Sequence, residues 1–79
     1  MANVIWTKDN CLFCTSAKHD FRKRGIEFEE RKIGTNGWTK EQLLEVVPNA
    51  RTVPQIFIDD LYIGGYTELV DYFNQRFKP

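Results

Sequence analysis

The 79-residue sequence has little of several features that would indicate particular functions. It contains only two cysteines and one histidine, and its eleven basic residues are balanced by eleven acidic ones. A net charge of zero gives no overall field that would attract nucleic acid or an anionic membrane surface. No run approaches the roughly 18 apolar residues of a membrane span, and the first residues lack a secretion-signal pattern. We therefore expect a cytoplasmic protein, in a compartment that keeps thiols reduced, with no nucleic-acid or membrane partner.

The composition is sufficient for one small folded unit. Hydrophobic residues make up 42% of the chain and aromatic residues 14%, which allows a core to form without a metal ion or several disulfides. A chain of this length is expected to form one domain, residues 1–79, with a single functional site. A monomer is the default expectation.

Hydrophobic periodicity predicts the element order βαβαββα. Strands are predicted at residues 4–6, 26–33, 55–58 and 61–63, and helices at 12–24, from 39 to Pro48, and from 66 to 77. A parallel pair of strands joined by a helical crossover and followed by an antiparallel hairpin indicates a mixed four-stranded sheet flanked by helices. The fold class is therefore α/β.

Local signals define the ends and faces of these helices. Phe13, Ala17 and Phe21 recur every four residues, which predicts one buried face of the first helix. Thr39 followed three residues later by Gln42 forms a capping-box pattern at the start of the second. The apolar face predicted for the last helix comprises Tyr66, Leu69, Val70, Phe73 and Phe77.

Cys11 and Cys14 lie at the junction between the first strand and the first helix, and three interpretations are open for them. A structural zinc site needs four ligands, but only His19 could add a third. A disulfide that closes a four-residue loop would stabilise the fold by only about 2 kcal/mol, and a reducing compartment would break it. The third interpretation, a reactive thiol pair, has a physical cause at each position.

A cysteine in the first turn of a helix contacts unpaired N–H groups and the positive end of the helix dipole. Both favour the thiolate, so the pKa of Cys11 should fall below that of an ordinary thiol, and Lys8 adds positive charge nearby. Cys14 lies one turn further along and should be more buried. The spacing therefore predicts an attacking sulfur at Cys11 and a resolving sulfur at Cys14.

Two further stretches follow in the second half of the chain. In "RTVPQIFI", residues 51–58, a proline precedes an apolar strand, and in "IGGYTEL", residues 63–69, two glycines precede a helix. Taken alone, the first fits an ordinary strand start, and the second fits either a turn or a helix N-terminus that holds a carboxylate. Together with "TKDNCLFC", however, these stretches resemble the glutaredoxin family, small thiol–disulfide oxidoreductases with a thioredoxin-like fold.

The resemblance implies how glutathione would bind. Val53–Pro54 would be a cis peptide, and the main chain of Val53 would pair antiparallel with the cysteine of glutathione. Lys8 and Arg51 would bind the glycine carboxylate, Phe13 would flank the tripeptide, and Tyr66 with Thr67 would receive the γ-glutamyl carboxylate. The implied catalytic residues are Cys11 and Cys14, with no metal ligand, and the implied glutathione-binding residues are Lys8, Phe13, Arg51, Thr52, Val53, Pro54, Tyr66 and Thr67.

The sequence departs from the family pattern at two places. Leu12-Phe13 stands where Pro-Tyr is common, and Thr67-Glu68 replaces a frequent Asp-Asp. The γ-glutamyl contact would then depend on a hydroxyl and on backbone N–H groups. Trp38 has no role in the family pattern, and we expect it to cover the core.

The resemblance implies a glutathione-dependent oxidoreductase that reduces protein disulfides and glutathione mixed disulfides. Glutathione would be the co-substrate, with no bound cofactor, and disulfide-containing proteins, ribonucleotide reductase among them, would be the partners. One alternative is a glutaredoxin-like redoxin that serves ribonucleotide reductase and is recharged by thioredoxin reductase. Another is a binding module that holds an iron–sulfur cluster between Cys11 of two chains and glutathione.

Overall fold

A computed structural model describes residues 2–34 and 36–76, which form four strands and three helices. The elements are β1 (Val4–Lys8), α1 (Leu12–Lys23), β2 (Glu29–Ile33), α2 (Lys40–Val46), β3 (Gln55–Ile58), β4 (Leu61–Gly64) and α3 (Tyr66–Arg76). This order confirms the predicted βαβαββα succession. Phe77, predicted on the last apolar face, lies outside the described residues.

The four strands form one mixed sheet in the order β2-β1-β3-β4. β1 pairs parallel with β2 and antiparallel with β3, which pairs antiparallel with β4. The parallel pair is joined through α1, as expected for a crossover connection. The predicted sheet is confirmed, and β1 lies at its centre and leads directly into the cysteine pair.

Side chains alternate between the two faces of the sheet, so each face has its own apolar cluster. Ile5 packs with residues of α1 and α3, including Phe21 and Phe73, whereas its neighbours Val4 and Trp6 point to the opposite face. There Trp6 packs in the cluster that contains residues of α2, and Trp38 meets it edge-on with ring centroids 5.3 Å apart. Trp38 therefore covers the core, as predicted.

The predicted buried face of α1 is wrong at its first residue. Cys14, Ala17 and Phe21 are the buried residues of this helix, whereas the side chain of Phe13 is 60% exposed. The buried stripe therefore begins at Cys14, and the ring of Phe13 stacks instead on Tyr66 of α3. The spacing of the apolar residues could not decide whether the stripe begins at Phe13 or at Cys14, because both adjacent positions fit a broad apolar stripe that contains Ala17 and Phe21.

The second strand is also shorter than the predicted 26–33. It begins at Glu29, opposite Val4, while Ile26 and Phe28 pack against the core as part of the preceding loop. The reason is the end of α1, where Gly25 has a φ of +72° and the N–H of Ile26 donates to Phe21. These contacts fix the chain in a helix-ending turn before it can join the sheet.

Two local predictions are confirmed, one for a helix cap and one for a hairpin loop. Thr39 accepts a hydrogen bond from the N–H of Gln42, whose side chain accepts from the N–H of Thr39, so the capping box is complete. Asp59 and Asp60 form the two-residue loop between β3 and β4 with φ values of +52° and +67°. Positive φ at both positions matches the twist of a tight hairpin, and aspartate tolerates this conformation better than most residues.

Candidate functional site

Cys11 is the N-cap residue of α1. β1 ends at Lys8, and the chain turns through Asn10, whose φ of +57° is one that asparagine tolerates. The Sγ of Cys11 accepts a hydrogen bond of 3.2 Å from the N–H of Cys14. This arrangement satisfies one of the free N–H groups of the helix and directs it at sulfur, which favours a thiolate in the reduced protein.

The two cysteines are joined in a disulfide, with their Cα atoms 5.2 Å apart. Cys11 is half-buried, whereas Cys14 is only 1% exposed, which confirms the prediction that Cys14 is the less accessible sulfur. The structure thus represents the oxidised state of the pair. Only the sulfur of Cys11 is placed to meet a partner from outside.

The segment before β3 lies against Cys11. The Val53–Pro54 peptide bond is cis, as the resemblance implied, and the carbonyl oxygen of Val53 lies 3.7 Å from the Sγ of Cys11. Gln55 holds this segment, because its side-chain amide donates to the carbonyl of Thr52 and its Oε1 accepts from Tyr62. The backbone beside the sulfur is thereby fixed in place.

A groove of about 200 Å³ opens next to this segment. Its basic side chains are Lys8 at the end of β1, Lys40 at the start of α2, and Arg51. The remaining lining residues are Ile33, Leu43, Ala50, Thr52 and Val53. The groove therefore brings together Lys8, Arg51, Thr52 and Val53, four of the residues that the resemblance implied for glutathione binding, and adds Lys40 to them.

Two aromatic rings meet between the first turn of α1 and the start of α3. The rings of Phe13 and Tyr66 stack with centroids 5.8 Å apart, and the hydroxyl of Tyr66 donates a 3.0 Å hydrogen bond to Asp20. Partial burial, followed by this hydrogen bond and the charge of Asp20, raises the pKa of Tyr66. Leu12, the neighbour of Cys11 in the chain, is 76% exposed, so an apolar side chain lies at the surface next to the cysteine pair.

The start of α3 is arranged differently from the family pattern. Thr67 is exposed, and the carboxylate of Glu68 accepts a 2.8 Å hydrogen bond from the N–H of Gly65. Glu68 therefore uses one of the amide groups at this helix terminus, while the side chain of Thr67 makes no hydrogen bond within the described part of the chain.

Comparison with known proteins identifies the family. The family model described as Glutaredoxin matches residues 3–63, which include both cysteines and the Val53–Pro54 bond. The chain belongs to the glutaredoxin family.

Individual relatives agree with this assignment. Glutaredoxin 3 of Escherichia coli strain K12 is 41% identical over 70 residues, which cover 87% of this chain and 83% of the relative. The solution structure of reduced Escherichia coli glutaredoxin covers all of both chains with a TM-score of 0.80 and 30% identity. Glutaredoxin 1 of Francisella tularensis, solved in complex with cacodylate, has the same TM-score and identity over 99% of this chain and 98% of its own. The fold is thioredoxin-like, and the chain is a thiol–disulfide oxidoreductase.

One polar cluster of this glutaredoxin was not predicted from the sequence. The carboxylate of Glu30 accepts hydrogen bonds from the hydroxyl of Thr7, at 2.7 Å, and from the ammonium of Lys18, at 3.0 Å. Partial burial raises the pKa of Glu30, but these two hydrogen bonds and the charge of Lys18 outweigh it, so the pKa lies below its ordinary value. Lys18 is four residues from Cys14 on the same helix, so the cluster lies one turn beyond Cys14.

Sequence reasoning also missed Lys40 and Asp20. A lysine in the first turn of a helix is unfavourable to the helix dipole, and this was the available signal for Lys40. Asp20 carries no local signal, because its partner Tyr66 lies 46 residues away.

Among residues 2–34 and 36–76, no three side chains of metal-ligating type come together. Within the same residues, no helix has the length and apolar character needed to cross a membrane.

Proposed function

We propose that this glutaredoxin reduces protein disulfides and glutathione mixed disulfides, with glutathione as its reductant. The observation that carries the proposal is the position of Cys11 at the N-cap, where the N–H of Cys14 donates to its sulfur beside a basic groove. The amide and the helix dipole stabilise the thiolate. Lys8 and Arg51 form no ion pair with the described residues, and their charges suit the glycine carboxylate of glutathione.

The exchange proceeds in two steps. The Cys11 thiolate attacks a sulfur of the substrate disulfide, forms a mixed disulfide with it and releases the other sulfur as a thiolate, which takes up a proton. The Cys14 thiol then loses its proton and attacks Cys11, which frees the second substrate thiolate and leaves the observed Cys11–Cys14 disulfide. Two glutathione molecules reduce this disulfide and become glutathione disulfide. When the adduct is Cys11–glutathione, a second glutathione resolves it directly.

The setting of this reaction is also part of the proposal. The protein acts in the cytoplasm as a monomer, with residues 1–79 forming one domain, and ribonucleotide reductase is among the disulfide substrates. Phe13 flanks the bound tripeptide, and Tyr66 with Thr67 receives its γ-glutamyl carboxylate. Support comes from the stacking of Phe13, two residues after Cys11 in the chain, on Tyr66.

A mass measurement tests the glutathione step. The Cys14→Ser variant keeps the N–H at position 14 but cannot resolve an adduct, so incubation with glutathione disulfide should add the mass of one glutathione to Cys11. The Cys11→Ser variant, which retains the buried Cys14, is the matched control and should remain unmodified. Absence of the adduct on Cys14→Ser would contradict glutathione dependence and favour the redoxin that takes electrons from thioredoxin reductase.

A second measurement identifies the reductant. The oxidised wild-type protein is offered reduced glutathione with glutathione reductase, or thioredoxin reductase alone, and consumption of the nicotinamide cofactor is followed. We expect rapid turnover only with glutathione. Turnover only with thioredoxin reductase would contradict the proposal.

A further inference from the structure

The basic side chains of the groove form no ion pair with the residues that the structure describes. The three ion pairs found among residues 2–34 and 36–76 all use other cations, namely Lys18–Glu30, Arg31–Glu29 and Lys32–Asp9. The acidic neighbour of Lys40 in sequence, Glu41, does not line the groove. Lys8, Lys40 and Arg51 therefore present three positive charges to whatever enters.

No hydrogen bond or ion pair within the described residues explains the position of Lys40. It is the first residue of α2, where its charge faces the positive end of the helix dipole. The amide groups at this terminus are served by Thr39 and Gln42 rather than by Lys40. Its charge thus adds repulsion both to the helix and to Lys8 and Arg51, and an anionic ligand in the groove would relieve all of it.

The groove fits one end of a longer ligand. Its volume of about 200 Å³ is smaller than the roughly 300 to 1,000 Å³ of pockets that enclose a whole small molecule. Glutathione would bring a single carboxylate, that of its glycine, to three cations. The site therefore has more positive charge than this co-substrate can neutralise.

The direction of a bound substrate determines which of its residues enter the groove. If the reacting cysteine pairs antiparallel with Val53, the next two residues of the substrate run alongside Thr52 and Arg51. In glutathione the residue after cysteine ends in a carboxylate. In a protein it continues through a neutral peptide bond, so only a side chain can supply the negative charge there.

We infer that this groove selects protein disulfides in which the reacting cysteine is followed, one or two residues later, by an acidic side chain. The inference rests on the proposed function, because it names the substrate class of the same site. The chemistry is the disulfide exchange described above: Cys11 and Cys14 supply two electrons, the substrate disulfide becomes two thiols, and the protein becomes the Cys11–Cys14 disulfide.

Two peptides of equal charge and different order, with a neutral peptide as a further control, test the inference. The substrates are disulfide-linked dimers of acetylated and amidated pentapeptides with the sequences Gly-Gly-Cys-Glu-Glu, Glu-Glu-Cys-Gly-Gly and Gly-Gly-Cys-Gln-Gln. The reduced wild-type protein is mixed with each dimer in a single turnover without glutathione, and the released peptide thiol is measured after acid quenching. Each rate is divided by the rate of the same dimer with dithiothreitol, which corrects for intrinsic reactivity.

We expect the peptide with glutamates after cysteine to react about three- to tenfold faster than the other two at low ionic strength, and the ratio to approach one at ~1 M salt. The Lys40→Gln variant should lower this ratio by about two- to fourfold. Lys23→Gln removes an exposed charge at the far end of α1 and should leave the ratio unchanged.

The outcomes separate the inference from the proposed function. Equal rates for the three peptides would overturn the inference while leaving the oxidoreductase intact. Equal rates for the two acidic peptides would show that general attraction makes the selection and would overturn the inference. A preference that Lys40→Gln does not reduce would overturn it too, because a surface other than this groove would then make the selection. Failure to reduce any dimer would contradict the exchange reaction itself, and the mass test on Cys14→Ser reports on glutathione independently.

Discussion

The hydrogen bond between Tyr66 and Asp20 is expected to hold the start of α3 against α1. The Tyr66→Phe substitution removes the hydroxyl but keeps the ring that stacks on Phe13. It therefore isolates one polar contact between two helices. Because this contact joins residues far apart in the chain, its loss should lower the stability of the whole fold.

The magnitude follows from the geometry. The 3.0 Å bond ends on a carboxylate, and hydrogen bonds to charged groups contribute about 1.5 to 3 kcal/mol when well buried. Both residues are only half-buried, so we expect a value at or just below the lower end of this range, about 1 to 1.5 kcal/mol. For a protein of this size that corresponds to a fall in Tm of roughly 4 to 12 °C.

Urea unfolding followed by Trp fluorescence measures the change, because the reporter Trp6 is buried. A double-mutant cycle with Asp20→Ala should give a coupling energy of about 1 kcal/mol. Tyr72→Phe is the matched control, since the hydroxyl of Tyr72 makes no hydrogen bond to the described residues, and it should change stability by less than about 0.5 kcal/mol. Additive effects of Tyr66→Phe and Asp20→Ala would refute the reasoning.

Two further substitutions test local contacts. Glu30→Gln should destabilise the fold at pH 7 by about 1 kcal/mol, because it removes the charge that pairs with Lys18. The pKa of Glu30 lies below its ordinary 4.5, so its contribution to the free energy of unfolding is complete above pH 4.5 and is lost as the pH falls through the folded-state pKa. The difference in stability between wild type and variant should therefore shrink in acid. A constant difference from pH 7 to pH 3 would contradict this. Thr39→Ala should cost about 1 kcal/mol through loss of the α2 cap, and Thr39→Ser should restore most of it; equal urea midpoints for the two variants would contradict a capping role.

Several features of this glutaredoxin could be predicted from the sequence because they depend on residues close together in the chain. The capping box of Thr39 and Gln42 and the hairpin loop at Asp59 and Asp60 are local contacts. The place of Cys11 at the start of α1 follows from the change of periodicity after β1. The cis bond before Pro54 was implied only by resemblance, since nothing local distinguishes it from an ordinary strand start.

The sequence by itself determined the order of the elements, the mixed sheet and the two sulfurs that react, because periodicity, caps and turn residues act over a few positions. Only the tertiary structure decided that Phe13 stacks on Tyr66 outside the core. It also decided that Glu30 accepts hydrogen bonds from Thr7 and Lys18, and that Lys40 lines the groove. These contacts form between segments that the fold brings together from distant parts of the chain. Their geometry depends on how helices rotate and dock on the sheet, which no short stretch of sequence encodes.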